Sequence, residues 1–333
     1  MAGQITPFGT RPDGASVHAI TLRSDTLRAT VLTQGAVLQS LYLAGIEHSL
    51  TLGFRDLAPY LGGGAYFGCV IAPVANRIGG AMAQIAGQTH RFEANENANT
   101  LHSASASSHA ALWTLADHSA SHATLTLRQP DGAGGFPGTK DITATYRLSD
   151  DTLHLEITAT TDAPTLMNIA HHGYWNMDGT PTWAGHTMCI KADHILPTTV
   201  QNLPTGAVET LTNHPHDFRQ TKTISPGERP PLDHNFCLAT QRRALTPALT
   251  LTGVSGTRLE LATTEPGLQI FDAAPINTGT ARTLHAHPYG PHCGLAIEPQ
   301  SWPDAPNHPH FPAITLTPNQ TYRQHTTFRF SAP

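Results

Sequence analysis

Apolar and polar residues alternate over short stretches along most of this chain. In His122–Arg128, Ala123, Leu125 and Leu127 are separated by Thr124 and Thr126. That is the period of two expected of a half-buried β-strand. Asp141–Leu148 and Thr152–Thr158 repeat the pattern on either side of Ser149–Asp151, which predicts a hairpin. Val17–Arg23, Leu27–Leu32 and Ala36–Leu43 are β-branched or Leu-rich runs separated by Ser-Asp and Gln-Gly turns. Thr257–Leu261, Leu268–Phe271, Gly294–Glu298 and Thr321–Phe330 extend the series, whereas DGAGGFPG (Asp131–Gly138) reads as a loop. No stretch convincingly places apolar residues at the i, i+3, i+4, i+7 spacing of a helix. Short strands at close spacing predict an all-β protein, a large antiparallel β-sandwich or barrel. No composition break, internal repeat or phosphate-binding Gly-rich loop interrupts residues 1–333, so a single domain is expected.

Composition narrows the partners. A chain of 333 residues can bury a core without disulfide or metal staples. Charged residues make up only 13%, 19 basic against 24 acidic, with no basic stripe interleaved with aromatics, so nucleic acid is not an expected partner. No apolar run approaches the roughly 18–20 residues of a membrane span. The start, MAGQITPFGTRPDG, lacks a secretory pattern. Both point to a cytoplasmic protein in which Cys69, Cys189, Cys237 and Cys293, none in a CxxC, are reduced and mostly buried. The 21 histidines include three HxH pairs, at 214/216, 285/287 and 308/310. Five of these six sit beside a proline and no HExxH occurs, so no metal site is predicted. Nor is there a Gly-x-Ser-x-Gly nucleophile elbow.

Candidate chemistry lies in five segments: Ala72–Gly80 with Arg77, Asn99–Ala104 with His102, Asn168–Met177 with His171 and His172, Pro231–Phe236 with Asp233, and Cys293–Asn307 with Glu298. Glu298 closes an apolar run and precedes Pro299. A carboxylate at the end of a buried strand must be paired or have a raised pKa, and either suits a general base. The plainer reading turns it out to solvent. His172 beside Tyr174 and Trp175 could transfer protons near neutral pH, or be a hydrogen-bonded core residue. Arg77 has a structural ion pair as its plain reading; His102 and Asp233 have loop-capping hydrogen bonds.

Taken in order, these segments resemble the aldose 1-epimerase (galactose mutarotase) family. The resemblance runs through QGAVLQSLYL, TLGFRDLAPYL, ANRIGG, NTLH, DGAGGFPG, HHGYWNM, ADHILPTTVQNLPTG, HDFR, LDHNF, GLQIF and IEPQSWPDAPNHPHFPAITLTPNQTY. It implies the family's supersandwich fold and the interconversion of α and β anomers of a free sugar (an aldose), without cofactor or metal. It places the base on Glu298 and the acid on His172, which calls for an ionised Glu298 and a protonated His172 at the start. It also places substrate contacts on Arg77, His102 and Asp233, with Gln269 and Gln300 as further contacts and Trp175 as an aromatic cover. A monomer or homodimer is expected. His171, Trp175 and Ser103-Ala104 depart from the usual Asn, Phe and Gly-Gly, and are expected to change bulk and hydrogen bonding around the cleft. Three rivals remain. An enzyme for phosphorylated sugars would need basic residues at the cleft rim, for which Arg219, Arg242 and Arg243 are the loose candidates. A non-catalytic carbohydrate-binding module would lack one of the acid/base pair. The third is a metal enzyme using the His-rich loops.

Overall fold

A computed structural model describes residues 3–333. Strands dominate, and the only helical segments among the described residues are short 3-10 turns. Three sheets carry the architecture. A four-stranded meander runs Gln4–Thr10, Ser16–Arg23, Leu27–Leu32, Leu38–Leu43. A nine-stranded antiparallel sheet is built around Lys140–Ser149, Thr152–Thr161, Tyr322–Ser331 and Arg258–Thr263. A six-stranded sheet orders Tyr174–Trp175, Leu295–Gln300, Gly267–Phe271, Asp233–Cys237, His194–Ile195 and Glu209–Thr210.

Alternation decides what each strand buries. In the hairpin Lys140–Ser149/Thr152–Thr161, Ile142, Ala144, Tyr146, Leu148, Leu153, Leu155 and Ile157 point inward. Asp150 makes the turn with φ 49°. These residues meet Ile20, Leu22, Val31 and Leu41 from the meander and Phe236, Leu268, Ile270, Leu295 and Ile297 from the six-stranded sheet. The main core is thus the filling of a sandwich, the nine-stranded sheet on one side and the other two on the opposite side. Two smaller apolar clusters flank the six-stranded sheet elsewhere. One centres on Phe54, Phe67, Tyr174 and Tyr289. The other centres on Phe92, Phe136, Trp302 and Phe311. The polar stretch of the sheet between them forms the floor of the site.

The expected strands occur, with shifted ends. Ala36–Leu43 begins at Leu38, because Ala36 has φ 47° and belongs to the preceding turn. Gly294–Glu298 runs on to Gln300, so Glu298 lies within the strand, not at its end. Pro299 is tolerated there. Ile297 donates its N–H to Gly173 O, so the N of Pro299 faces the same side, beyond the end of the short strand Tyr174–Trp175.

Candidate active site

Glu298 is aimed by register. Leu295 and Ile297 enter the main core, so Ala296 and Glu298 must face the other way. Pairing with Gly267–Phe271 and Asp233–Cys237 puts Asn235, Gln269 and Glu298 abreast, one row from Phe271 and Asp233. His172 comes to the same face by the same rule. Its neighbour His171 turns to the core, its ring 6.2 Å from Tyr146 and 5.8 Å from Phe328. His172 turns to the cleft, 5.1 Å from the Tyr174 ring, 5.5 Å from His102 and 5.8 Å from Tyr66. Its backbone is clamped by Gly68 N–H to His172 O (2.9 Å) and His172 N–H to Cys69 O (2.8 Å). Gly68 has φ 70°, and a Cβ there would fall 2.3 Å from Leu38 O, so only glycine fits this clamp.

The result is a buried carboxyl–imidazole pair. His172 Nε2 lies 3.5 Å from Glu298 Oε1, the side chains only 5% and 3% exposed. Glu298 Oε2 and His172 Nδ1 are buried without a hydrogen-bond partner. Burial raises the Glu298 pKa well above the ordinary carboxylate value, with Asp233 adding to the rise and Arg77 opposing it. Burial lowers His172 to about 3. Both shifts favour the uncharged form of each group, whereas the resemblance calls for a Glu298 carboxylate and a His172 imidazolium at the start of the reaction. The neutral pair still carries one proton, as the charged pair would.

Arg77 opens the short strand Arg77–Ile78, and His102 follows its partner strand Thr100–Leu101. Arg77 forks onto Glu96, Nε to Oε2 at 2.6 Å and Nη2 to Oε1 at 2.9 Å, and its Nη1 stands 3.6 Å from Asp233 Oδ2. Asp233 Oδ1 accepts from Gln269 Nε2 at 2.6 Å. His102 Nδ1 accepts the Asn76 backbone N–H at 3.0 Å. Burial first, then His172, hold its pKa well below the usual value. A neutral ring that accepts at Nδ1 must carry its proton on Nε2, so His102 offers a donor and no positive charge.

Glu298, His172, His102, Arg77 and Asp233 line one cavity of about 400 Å³, together with Tyr66, Asn76, Glu96, Tyr174, Asn202 and Phe271. Gln269 reaches it only through Asp233. Gln300 does not line it: it sits one row further along, opposite Gly267, fully buried with both side-chain polar atoms unpartnered. Trp175 does not line it either. Its strand position points it into the main core, 5.0 Å from Phe328, so the aromatic cover expected of it falls to Tyr66, Tyr174 and Phe271. The other departures are also behind the cleft. His171 packs in the core, and Ser103 Oγ is bonded to the N–H and O of Val74, both at 2.8 Å. This bonding anchors the run His102–Ser103–Ala104, with φ 51°, 66° and 49°. None of these departures lines the cavity.

Glu96, Tyr66 and Phe271 were not singled out in the sequence. Tyr66 stands in a Gly-rich loop, and Glu96 in NENAN reads as a solvated turn. Among the HxH histidines, His216, His285, His287 and His310 each use Nε2 on a backbone carbonyl, of Pro230, Ser49, Gly179 and Gly206. No group of three or more His, Cys, Asp or Glu arranged to hold a metal occurs among the described residues. Nor, among those residues, is any helix long and apolar enough to cross a membrane.

A sequence model of the family described as Aldose 1-epimerase matches residues 18–329. The galactose mutarotase of Rattus norvegicus is 32% identical, over 98% of each chain. The aldose 1-epimerase of Escherichia coli is 28% identical, over 96% of this chain and 97% of its own. A crystal structure of an aldose epimerase homologue from C. elegans superposes with TM-score 0.88 at 27% identity, covering 94% of this chain and 98% of the other.

Proposed function

The chain belongs to the aldose 1-epimerase family, a family of carbohydrate isomerases, and on that premise we propose that it interconverts the α and β anomers of a free aldose with Glu298 as first base and His172 as first acid. One observation carries the assignment: the two groups lie 3.5 Å apart on the floor of the cavity, each with a polar atom lacking a protein partner. In a cyclic hemiacetal the anomeric hydroxyl and the ring oxygen share one carbon. Groups serving both must therefore be neighbours.

The base removes the proton of the anomeric hydroxyl. The C1–O5 bond breaks, and the ring oxygen takes a proton from the acid. Rotation about C1–C2 presents the other carbonyl face. Closure with the roles reversed gives the other anomer. Each group contributes about 10²–10⁴ in rate when well placed. The proton count suits the buried pair. Moving one proton from Glu298 to His172 creates base and acid together, and nothing need come from solvent. Neutral His102, Arg77 and Asp233 would orient the oxygens by hydrogen bonds, and Tyr66, Tyr174 and Phe271 would cover the apolar sugar face. Polarimetry on freshly dissolved galactose, glucose, arabinose and fucose tests the reading. Acceleration of at least one sugar is expected, and no acceleration of any would overturn it.

A further inference from the structure

All three nitrogens of the Arg77 guanidinium face carboxylates. Nε and Nη2 are paired to Glu96 at 2.6 and 2.9 Å, and Nη1 faces Asp233 at 3.6 Å. A planar fork of this kind recognises a carboxylate or phosphate by two parallel bonds. Here that face is already filled from within the chain. The charge around the cavity points the same way. Among the described residues Arg77 is the only Lys or Arg lining it, against the carboxyls of Glu96 and Asp233, and burial favours the neutral form of both lining histidines and of Glu298. The basic residues that could have served an anionic substrate do not line the cavity. Arg219 pairs with Asp217 and Asp193, Arg242 pairs with Glu265, and Arg243 bonds the Leu238 carbonyl.

We propose that Glu96 is a specificity-determining residue: by occupying the forked face of Arg77 and adding a negative charge to the wall, it closes the cleft to anionic aldoses, uronates and sugar phosphates, and leaves it open to neutral and amine-bearing ones. This rests on the mutarotase reading and adds a substrate class to it. Glu96 does not touch the reacting pair, so its effect is on which sugar enters rather than on the proton transfer.

The test is polarimetry with galactose, galacturonate and protonated galactosamine. The wild type should favour galactose and galactosamine over galacturonate. Glu96→Gln keeps the side-chain size, removes the charge and leaves one of the two Arg77 nitrogens without its acceptor. It should raise kcat/KM for galacturonate relative to galactose by about tenfold, mainly through KM. Glu96→Asp should keep the wild-type ratio. In the wild type, raising ionic strength should lift the galacturonate ratio by screening the wall. A purely structural Glu96 would lower all three sugars together and leave the ratio unchanged in Glu96→Gln, which would overturn the proposal. So would a wild type that turns over galacturonate as well as galactose. A wild type active on no aldose would instead defeat the mutarotase reading itself.

Discussion

The chain contains two Glu-Pro dipeptides, Glu265-Pro266 and Glu298-Pro299, and folding buries both glutamates. Burial raises the pKa of both. They part company in what meets them. Glu265 is held by the Arg242 fork, at 2.8 and 3.2 Å. Glu298 has an imidazole 3.5 Å away, an oxygen with no partner, and an open cavity above it. The first has both carboxylate oxygens taken by Arg242 and none left for a ligand. The second is a buried acid left incomplete, which a ligand hydroxyl can complete. Burial of a carboxylate is thus no sign of chemistry by itself; a missing partner beside a cavity is.

Substituting each glutamate separates the two situations most sharply. Glu298→Gln should lower kcat by at least about 10² in the polarimetric assay with the melting curve little changed. Near wild-type turnover would put the base elsewhere. Glu265→Gln should do the reverse. It leaves Arg242 uncompensated and should lower stability by about 2–4 kcal/mol, less than a fully buried pair because Arg242 is 32% exposed. Thermal or urea unfolding reads this, and turnover per folded molecule should stay within about twofold, because Glu265 does not line the cavity.

A smaller effect should come from the histidine behind the site. Burial lowers His171 to about 4, and neither ring nitrogen has a partner. The unfolded chain then binds a proton that the folded chain refuses in the window between the ordinary histidine value and about 4. The stability from His171 is complete above that window and is lost as pH falls through it. His171→Asn should flatten this acid decline by about 1–3 kcal/mol, measured as urea midpoints across pH. An unchanged slope would show that His171 is not the proton acceptor. Smallest of all should be Trp175→Phe on selectivity. With the indole in the core, relative rates on different sugars should hold within about twofold while stability drops by about 1–2 kcal/mol from lost packing. A changed sugar preference would mean that Trp175 reaches the cleft after all.

The strands were legible because a half-buried sheet imposes a period of two that nothing else mimics, as in His122–Arg128 and the hairpin around Asp150. Their ends were not, since Ala36 and Pro299 are settled by turn geometry and by neighbouring strands. The pairing of Glu298 with His172 was visible only through an ordered resemblance; Glu298 alone looks like Glu265. Glu96 escaped because its partner Arg77 lies 19 residues away and meets it only once Arg77–Ile78 pairs with Thr100–Leu101. The direction of Trp175 is not legible in the sequence, because the chain places cleft and core residues one position apart, and local composition does not say which of two adjacent aromatics faces which way.

That one-position spacing has an evolutionary consequence. His172 serves the cleft, while His171 beside it and Trp175 three residues on serve the interior. Drift that repacks the interior at His171 or Trp175 moves the backbone that presents His172, so this stretch is not free to change one side at a time. Lineages that alter the interior here should show paired replacements, and an isolated exchange imported from a relative should lose stability until its counterpart is imported with it.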